Sequence, residues 1–412
     1  MKIAKILVYL LCFALFAGLG VACGAPPPEP PPPVNNNCDE CGKDPCVCDS
    51  LTPPDPHDES GVGENFKILT AEQLMAEMGA GWNLGNTLDA RGSRSSTPTE
   101  QETAWGNPVT SPEMIQLLVD TGFSTLRVPV TWENFIGDAP DYEIDAAWMN
   151  RVQEIVDYGI DRGLYVILNL HHENWHFPSE ENYETAKAML IAVWTQIAER
   201  FGTYSEKLIF EGMNEPRMKG TNQEWTGGTP EARDVINRWN AAFVETVRDS
   251  GGNNTKRWLM VPTIAASSDP PALLGFVMPD DDYTIVSIHA YTPYNFALNT
   301  RSKNNEFDPE NEKHTRDIDA MFERLDEHLL SKGYFVVMGE TGCLNKENPE
   351  DRANWAGYYS SKAAQYGIPM VWWDNGIQIP TRDGEESFGI MDRVNAEWWY
   401  PEIAEALVAS YQ

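Results

Sequence analysis

Positive charge is scarce in this chain. Thirty lysines and arginines stand against 62 aspartates and glutamates in 412 residues, a formal net charge of −32. Phosphate contacts need Lys or Arg, so this balance excludes a nucleic-acid partner. The same field repels polyanionic polymers, which leaves a neutral substrate as the natural partner. After the first 22 residues no stretch is long and apolar enough to span a membrane. Of seven cysteines only Cys343 lies beyond residue 48, so the larger part of the chain has no disulfide of its own. No GxGxxG or GxxxxGK turn follows the first apolar run, which weighs against a nucleotide-binding sheet. No HxH pair occurs, which weighs against a metal-dependent barrel hydrolase.

The N-terminus is organised for export. Lys2 and Lys5 precede an apolar stretch from Ile6 to Ala22, shorter than a spanning helix and ending in small residues. Residues 1–22 are therefore predicted to be a signal peptide. Cleavage before Cys23 leaves a cysteine first, as in bacterial lipoproteins, although position −3 is Gly20 and Leu19 sits one step early. Gly20 and Ala22 fit ordinary small-residue cleavage at the same bond. The expectation is an exported protein, either secreted or held at the cell surface or outer membrane by a lipid on Cys23, its sole membrane contact. Residues 23–65 read as a linker: eleven prolines fall between Pro26 and Pro56. Within it Cys38, Cys41, Cys46 and Cys48 suit two local disulfides or a zinc ion.

Residues 66–412 alternate apolar runs with helical patterns. The runs are AGWNLGN (80–86), STLRVPVTW (124–132), LYVILNLHH (164–172), KLIFEGMNEP (207–216), RWLMVPTI (257–264), YTIVSIHAY (283–291), YFVVMGET (334–341) and PMVWWDNG (369–376). Between them, Met149, Val152, Ile155, Val156 and Ile160 recur at helical spacing. Further helices are readable at 112–120, 185–200, 232–249, 317–330, 351–365 and 401–409. Eight strands alternating with helices predict an α/β fold, a (β/α)8 TIM barrel, with a doubly wound open sheet as the alternative. Several runs end in polar residues at their C-terminal side, the face where barrel active sites sit.

The second run carries Arg127, the third ends in His171-His172-Glu173, and the fourth in Asn214-Glu215. His289 and Tyr291 close the sixth, Glu340 the seventh, and Trp372, Trp373, Asp374 and Asn375 the eighth. In a closed barrel these converge on one mouth. Two carboxyl groups facing each other across a cleft suit glycoside hydrolysis, one protonating the leaving oxygen and the other attacking the anomeric carbon. Arg127 near Glu340 would keep that carboxylate ionised, and Tyr291 could donate to it. Asn214 could hold a sugar 2-hydroxyl, and Trp373 offers a flat face for a pyranose ring. Singly, each has a bland reading: a strand-end Glu is usually solvated, paired histidines are usually structural, and most of fourteen tryptophans could be core. Their coincidence on six of eight strand ends favours the chemical one.

The pieces LRVPVTW, ILNLHHE, FEGMNEP, SIHAYTP, VVMGETG and VWWDNG, in this order, resemble glycoside hydrolase family 5, a family of retaining barrel glycosidases with catalytic glutamates after strands four and seven. With GWNLGNTLDA at the start, the chain looks most like subfamily 4, which holds endo-β-1,4-glucanases, xyloglucanases and lichenases. The resemblance covers about residues 66–412. It implies Glu215 as acid/base and Glu340 as nucleophile, with Arg127, His171, Asn214, His289, Tyr291 and Trp373 in support and His172 on substrate. Asn83 and Trp105 complete the expected substrate-binding set. The scheme needs no cofactor and no metal. It expects Glu215 to hold a raised pKa through the charge of Glu340, and a bell-shaped pH profile.

Two other classes are weighed against it. A glycan-binding barrel without activity would lose a carboxylate, and both are present. A metal hydrolase would use His171, His172 and His289. Trp105, Trp132, Trp175, Trp225 and Tyr294 suggest several sugar subsites and endo action on a neutral β-glucan. They leave open cellulose, mixed-linkage glucan, xyloglucan, mannan and xylan. One barrel with a spacer needs no partner subunit.

Overall fold

Eight parallel strands close on themselves in this computed structural model, which describes residues 62–91 and 97–412. The expected signal peptide, Cys23 and most of the linker with its four cysteines lie outside the described residues. The strands are β1 (Ala80–Leu84), β2 (Thr125–Val128), β3 (Tyr165–Asn169), β4 (Leu208–Glu211), β5 (Leu259–Ser267), β6 (Thr284–His289), β7 (Val336–Thr341) and β8 (Met370–Asp374). Each pairs with the next, and β8 returns to β1 with Asn83 opposite Trp373 and Leu84 opposite Asp374. The barrel excludes the open doubly wound sheet.

Helices α1 (Ala71–Met78), α2 (Pro98–Glu102), α3 (Pro112–Thr121), α4 (Ala146–Ile160), α5 (Glu180–Arg200), α6 (Pro230–Asp249), α7 (Pro270–Leu274), α8 (Tyr294–Ala297), α9 (Glu312–His328), α10 (Pro349–Gln365) and α11 (Pro401–Val408) fill the connections. Helices α5 and α9 start five residues before the apolar periodicity does. Their first turns are polar and begin at capping residues: Ser179 accepts from the Asn182 amide and Asn311 from the Lys313 amide. A short hairpin, β9 (Met391–Asp392) with β10 (Glu397–Trp398), follows the barrel.

Alternate strand residues separate two cores. Leu126, Val128, Val166, Leu168, Leu208, Phe210 and Val286 point outward onto the helices. Tyr165, Ile167, Ile209, Met260, Ile285, Val337 and Val371 point inward. Helix α1, missed as an element in the sequence, closes the lower end of the barrel. A capping box starts it, with Thr70 and Gln73 bonding reciprocally, and Leu74, Met75 and Met78 pack against the inward layer. Each such buried side chain contributes roughly 1.5–3 kcal/mol. Above this apolar plug the inward positions turn polar: Asn83, Arg127, Asn169, Glu211 and Ser287 are all fully buried. The active-site groups stand on that layer.

Candidate active site

Arg127 organises the polar layer. From β2 its Nε donates to Glu211 Oε2 at 2.8 Å and Nη1 to Glu340 Oε1 at 2.7 Å. Nη1 also reaches Asn83 Oδ1 at 2.9 Å, and Nη2 reaches Asn214 Oδ1 at 2.7 Å. A planar fork of five N–H groups can hold four such partners in fixed directions; a lysine cannot. Burial alone would lower its pKa, but Glu211 and Glu340 outweigh it and the guanidinium stays charged.

Asn83 and Arg127 therefore do not reach the cleft. The Asn83 amide donates to the carbonyls of Gly339, Val371 and Trp372 at 3.0–3.3 Å while its oxygen takes Arg127. A substrate-binding role for either is corrected to support of the floor. Glu211 is the functional residue that sequence reasoning missed. It lies within an apolar strand, fully buried, and accepts from Arg127, Asn169 and Ser287. An inward Arg in so dry a place needs a buried acid beside it, and that need was the signal for it.

Glu340 receives Arg127 on one oxygen and the Tyr291 hydroxyl, at 3.0 Å, on the other. Its strand places it opposite His289 through a register shift. Gly339 beside it leaves room for two neighbouring side chains, because a Cβ there would lie 3.0 Å from both His289 Nε2 and Ser287 Oγ and would have to displace one of them. Glu215 lies near the start of the loop that leads from β4 to α6. His289 Nδ1 is 2.9 Å from its Oε1 and 3.6 Å from Glu340 Oε2. One oxygen of each glutamate and one nitrogen of His289 all lie within 4.8 Å of one another.

The proton balance differs from expectation. Burial would push Glu215 up, but the hydrogen bond and charge of His289 outweigh it, and its carboxyl sits below the ordinary value. Burial would push His289 down, yet the charge of Glu340 and the bond to Glu215 hold it above. Glu340 is raised by burial, against the opposing pull of His289 and Arg127. Considering Glu340 alone as the neighbour of Glu215 left out the imidazole between them. The contact between them therefore favours a proton on His289 over one on Glu215.

His171 accepts the Asn169 amide on Nδ1 at 3.1 Å, which puts its own proton on Nε2, 3.9 Å from Glu340 Oε1. Burial keeps it neutral. Its ring lies parallel to Trp373, 5.6 Å between centroids and 2° apart. Trp373 in turn lies over Gly85, where a Cβ would meet the indole at 2.8 Å. The three histidines do not form one ligand set. Among the described residues, the side chains near enough to share an ion fall into Asp89 with His171 and His172, and His289 with the two glutamates.

Above these groups opens a cleft of about 1340 Å³, lined among others by Trp105, His172, Trp225, Tyr294, Trp373 and Phe388. Small-ligand pockets span about 300–1,000 Å³, so this one has room for a chain. Trp105, Trp225 and Tyr294 are 39%, 59% and 61% exposed, as binding platforms must be. Trp132 and Trp175 do not line the cleft. The Trp132 indole donates to the Asn169 carbonyl, and that of Trp175 to Glu173. Asn375, named at the end of the eighth run, lines it, as do Asn86 and the loop carrying Glu386, which the sequence did not mark.

Two buried carboxyls beside the site set a pH dependence of stability. Burial pushes Asp89 and Glu173 each up to about 7, although backbone amides of Thr87 and Trp132 pull them back. The folded form then holds protons that the unfolded chain has lost between about pH 4 and 7, so stability falls as pH rises through that window. Self-repulsion of the acidic chain acts in the same direction. The expected loss from the two groups is on the order of 5 kcal/mol between pH 5 and 8 in urea unfolding. Glu173→Gln should shrink that difference; an unchanged difference would remove burial of Glu173 as its cause.

A closed (β/α)8 barrel with two opposed glutamates under an aromatic-lined cleft is the build of a glycoside hydrolase. The chain belongs to glycosyl hydrolase family 5, the cellulase family, whose pattern matches residues 88–378. It is 46% identical over 353 residues to Endoglucanase 1 of Ruminococcus albus, covering 85% of this chain and 84% of that one. A broad-specificity GH5-4 endoglucanase from Ruminococcus champanellensis, solved with bound cellotriose, superposes with a TM-score of 0.80 at 46% identity, over 83% of this chain and 99% of that one. A xyloglucan-specific endo-beta-1,4-glucanase from a metagenomic library, in complex with cellotriose, gives 0.77 at 41% identity, over 82% and 97%. The chain is thus a glycoside hydrolase of the cellulase type, most like subfamily 4.

Proposed function

We propose that this protein is an exported, retaining endo-β-1,4-glucanase in which Glu340 is the nucleophile and Glu215 the acid/base. The observation that carries the reading is the approach of the two carboxyl groups to within 4.8 Å. Retaining glycosidases hold them at about 5–5.5 Å, whereas inverting ones leave about 6.5–9.5 Å for a water. Glu340 attacks the anomeric carbon from a fixed position, with Arg127 on one oxygen and Tyr291 on the other. The leaving oxygen takes the proton shared across the 2.9 Å contact of Glu215 with His289. A water, deprotonated by Glu215, then releases the glycosyl group from Glu340. Asn214, with its oxygen held by Arg127, keeps its amide N–H for the sugar beside the nucleophile.

The substrate is a neutral β-1,4-linked glucan bound across several subsites, and the protein acts as a monomer. The relatives that bind cellotriose support the glucan backbone. One of them is of broad specificity and the other xyloglucan-specific, so we assign this chain soluble glucans as a class: mixed-linkage glucan, xyloglucan and cellulose derivatives. Export, with a lipid on Cys23, suits a polymer too large to enter a cell.

Reducing-sugar release from carboxymethylcellulose, barley β-glucan, xyloglucan, mannan and xylan tests this. Release is expected from the glucans, with the newly formed end first seen as the β-anomer by NMR. An α-anomeric product would refute retention. Binding to a glucan without release would turn the reading to a glycan-binding barrel.

A further inference from the structure

One cation at the site has no part in the scheme above. Arg217 follows Glu215 by two residues on the loop between β4 and α6. Its Nη1 donates to the Glu215 carbonyl at 3.0 Å and faces Glu215 Oε2 at 3.3 Å. Its Nε donates to Glu224 Oε1 at 3.1 Å, and the other oxygen of Glu224 takes the Gly220 amide at 2.8 Å. The guanidinium lies over the Trp225 ring, 4.3 Å from its centroid. Trp225 is itself 59% exposed along the cleft. One side chain thus touches both the carboxyl and one face of an aromatic platform.

Both oxygens of Glu215 are then accounted for: Oε1 by His289 from below, Oε2 by Arg217 from the rim. The Arg217 contact is longer than a strong charge-assisted bond of about 2.7–2.9 Å, so it steers the carboxyl without locking it. The cation over the indole face ties Trp225 to Arg217, biasing one side chain by the position of the other roughly two- to fivefold. We propose that Arg217 is a positioning residue that couples sugar binding on Trp225 to the placement and charge state of Glu215. The proposal rests on the acid/base role assigned to Glu215. A sugar seated on Trp225 fixes the ring, the ring fixes the guanidinium, and the guanidinium aims the carboxyl at the glycosidic oxygen. A chain that reaches Trp225 is therefore cut faster, as well as held longer.

The charged and titratable groups facing Glu215 are His289 from β6, His172 from the end of β3, Glu340 from β7, Tyr291 after β6, Glu386 after β8, and Arg217 itself. Of these, Arg217 both donates to Glu215 and lies over an exposed ring, Trp225, while His172 meets another, Trp105, in a tilted contact of 5.7 Å between centroids.

The test compares Arg217→Met, Arg217→Lys, Trp225→Ala and the Arg217→Met/Trp225→Ala pair. Substrates are barley β-glucan and 2,4-dinitrophenyl β-cellobioside, whose leaving group needs no protonation. Arg217→Met should lower kcat/KM on β-glucan about tenfold, part of the 10²–10⁴ that acid catalysis supplies, and far less on the aryl substrate. Loss of the positive charge should move the alkaline limb of the β-glucan profile to higher pH, and Arg217→Lys should restore it. Trp225→Ala should lower kcat on β-glucan in wild type but only raise KM in the Arg217→Met background. An unmoved alkaline limb, equal losses on both substrates, or additive losses in the pair would overturn the proposal. Glu215→Ala separates it from the parent reading: were that variant to lose kcat/KM equally on both substrates, the acid role of Glu215 would fail irrespective of Arg217.

Discussion

Glu340→Ala is expected to cut β-glucan hydrolysis on the order of 10⁴- to 10⁶-fold, the range seen when a member of a covalent catalytic unit is removed. The fold should survive, because the carboxyl stands at the cleft floor with two donors that remain hydrogen-bonded elsewhere or reach water. Arg127 keeps Glu211, Asn83 and Asn214, and Tyr291 opens on the cleft. Azide distinguishes the two glutamates. With Glu340→Ala it should attack the anomeric carbon directly from the vacated side and give an α-glycosyl azide. With Glu215→Ala it should attack the glycosyl-enzyme and give the β-glycosyl azide. Exchange of the two products between the variants would reverse the roles assigned here.

The second large effect concerns Arg127. Arg127→Met removes the cation that Glu211 and Glu340 share in a fully buried layer. A buried carboxylate without its partner costs about 3–5 kcal/mol, which urea unfolding would register as a loss of that size. Activity should fall further than stability explains, because Asn214 loses the bond that orients it. Glu211→Gln keeps shape and one acceptor and should cost less, about 1–3 kcal/mol. An Arg127→Met protein with wild-type stability would mean that the polar layer is held together by something other than this cation.

Strands were legible because parallel barrel strands are buried on both faces and read as continuous apolar runs. All eight fell where those runs lie. Helix α1 was not: its eight residues carry three large apolar side chains and open on a polar cap, and a signal so short needs the barrel floor to give it meaning. Helices α7 and α8 and the β9–β10 hairpin are shorter still, below the length at which periodicity shows. In the site, strand-end position located Glu215, His289, Tyr291, Glu340 and Trp373. It could not tell what faces the cleft from what supports it. Asn83 stands between Arg127 and Trp373 on the two neighbouring strands, and its amide is used up by the carbonyls of Gly339, Val371 and Trp372 and by Arg127. Trp132 and Trp175 looked like sugar platforms, but their indole N–H groups hold the carbonyl of Asn169 and the carboxyl of Glu173. A tryptophan's role depended on where its one donor went, which no spacing records.

Helix α1 also decides from which side the barrel is held. The chain enters beneath the floor: the Gly63 amide donates to Asn253 and that of Lys67 to Glu206, on turns that lead into β5 and β4. The cleft opens at the other ends of those strands. Residues 62–70 thus bear on the end of the barrel opposite the cleft, so a substitution there is felt as a change in stability and not in substrate preference.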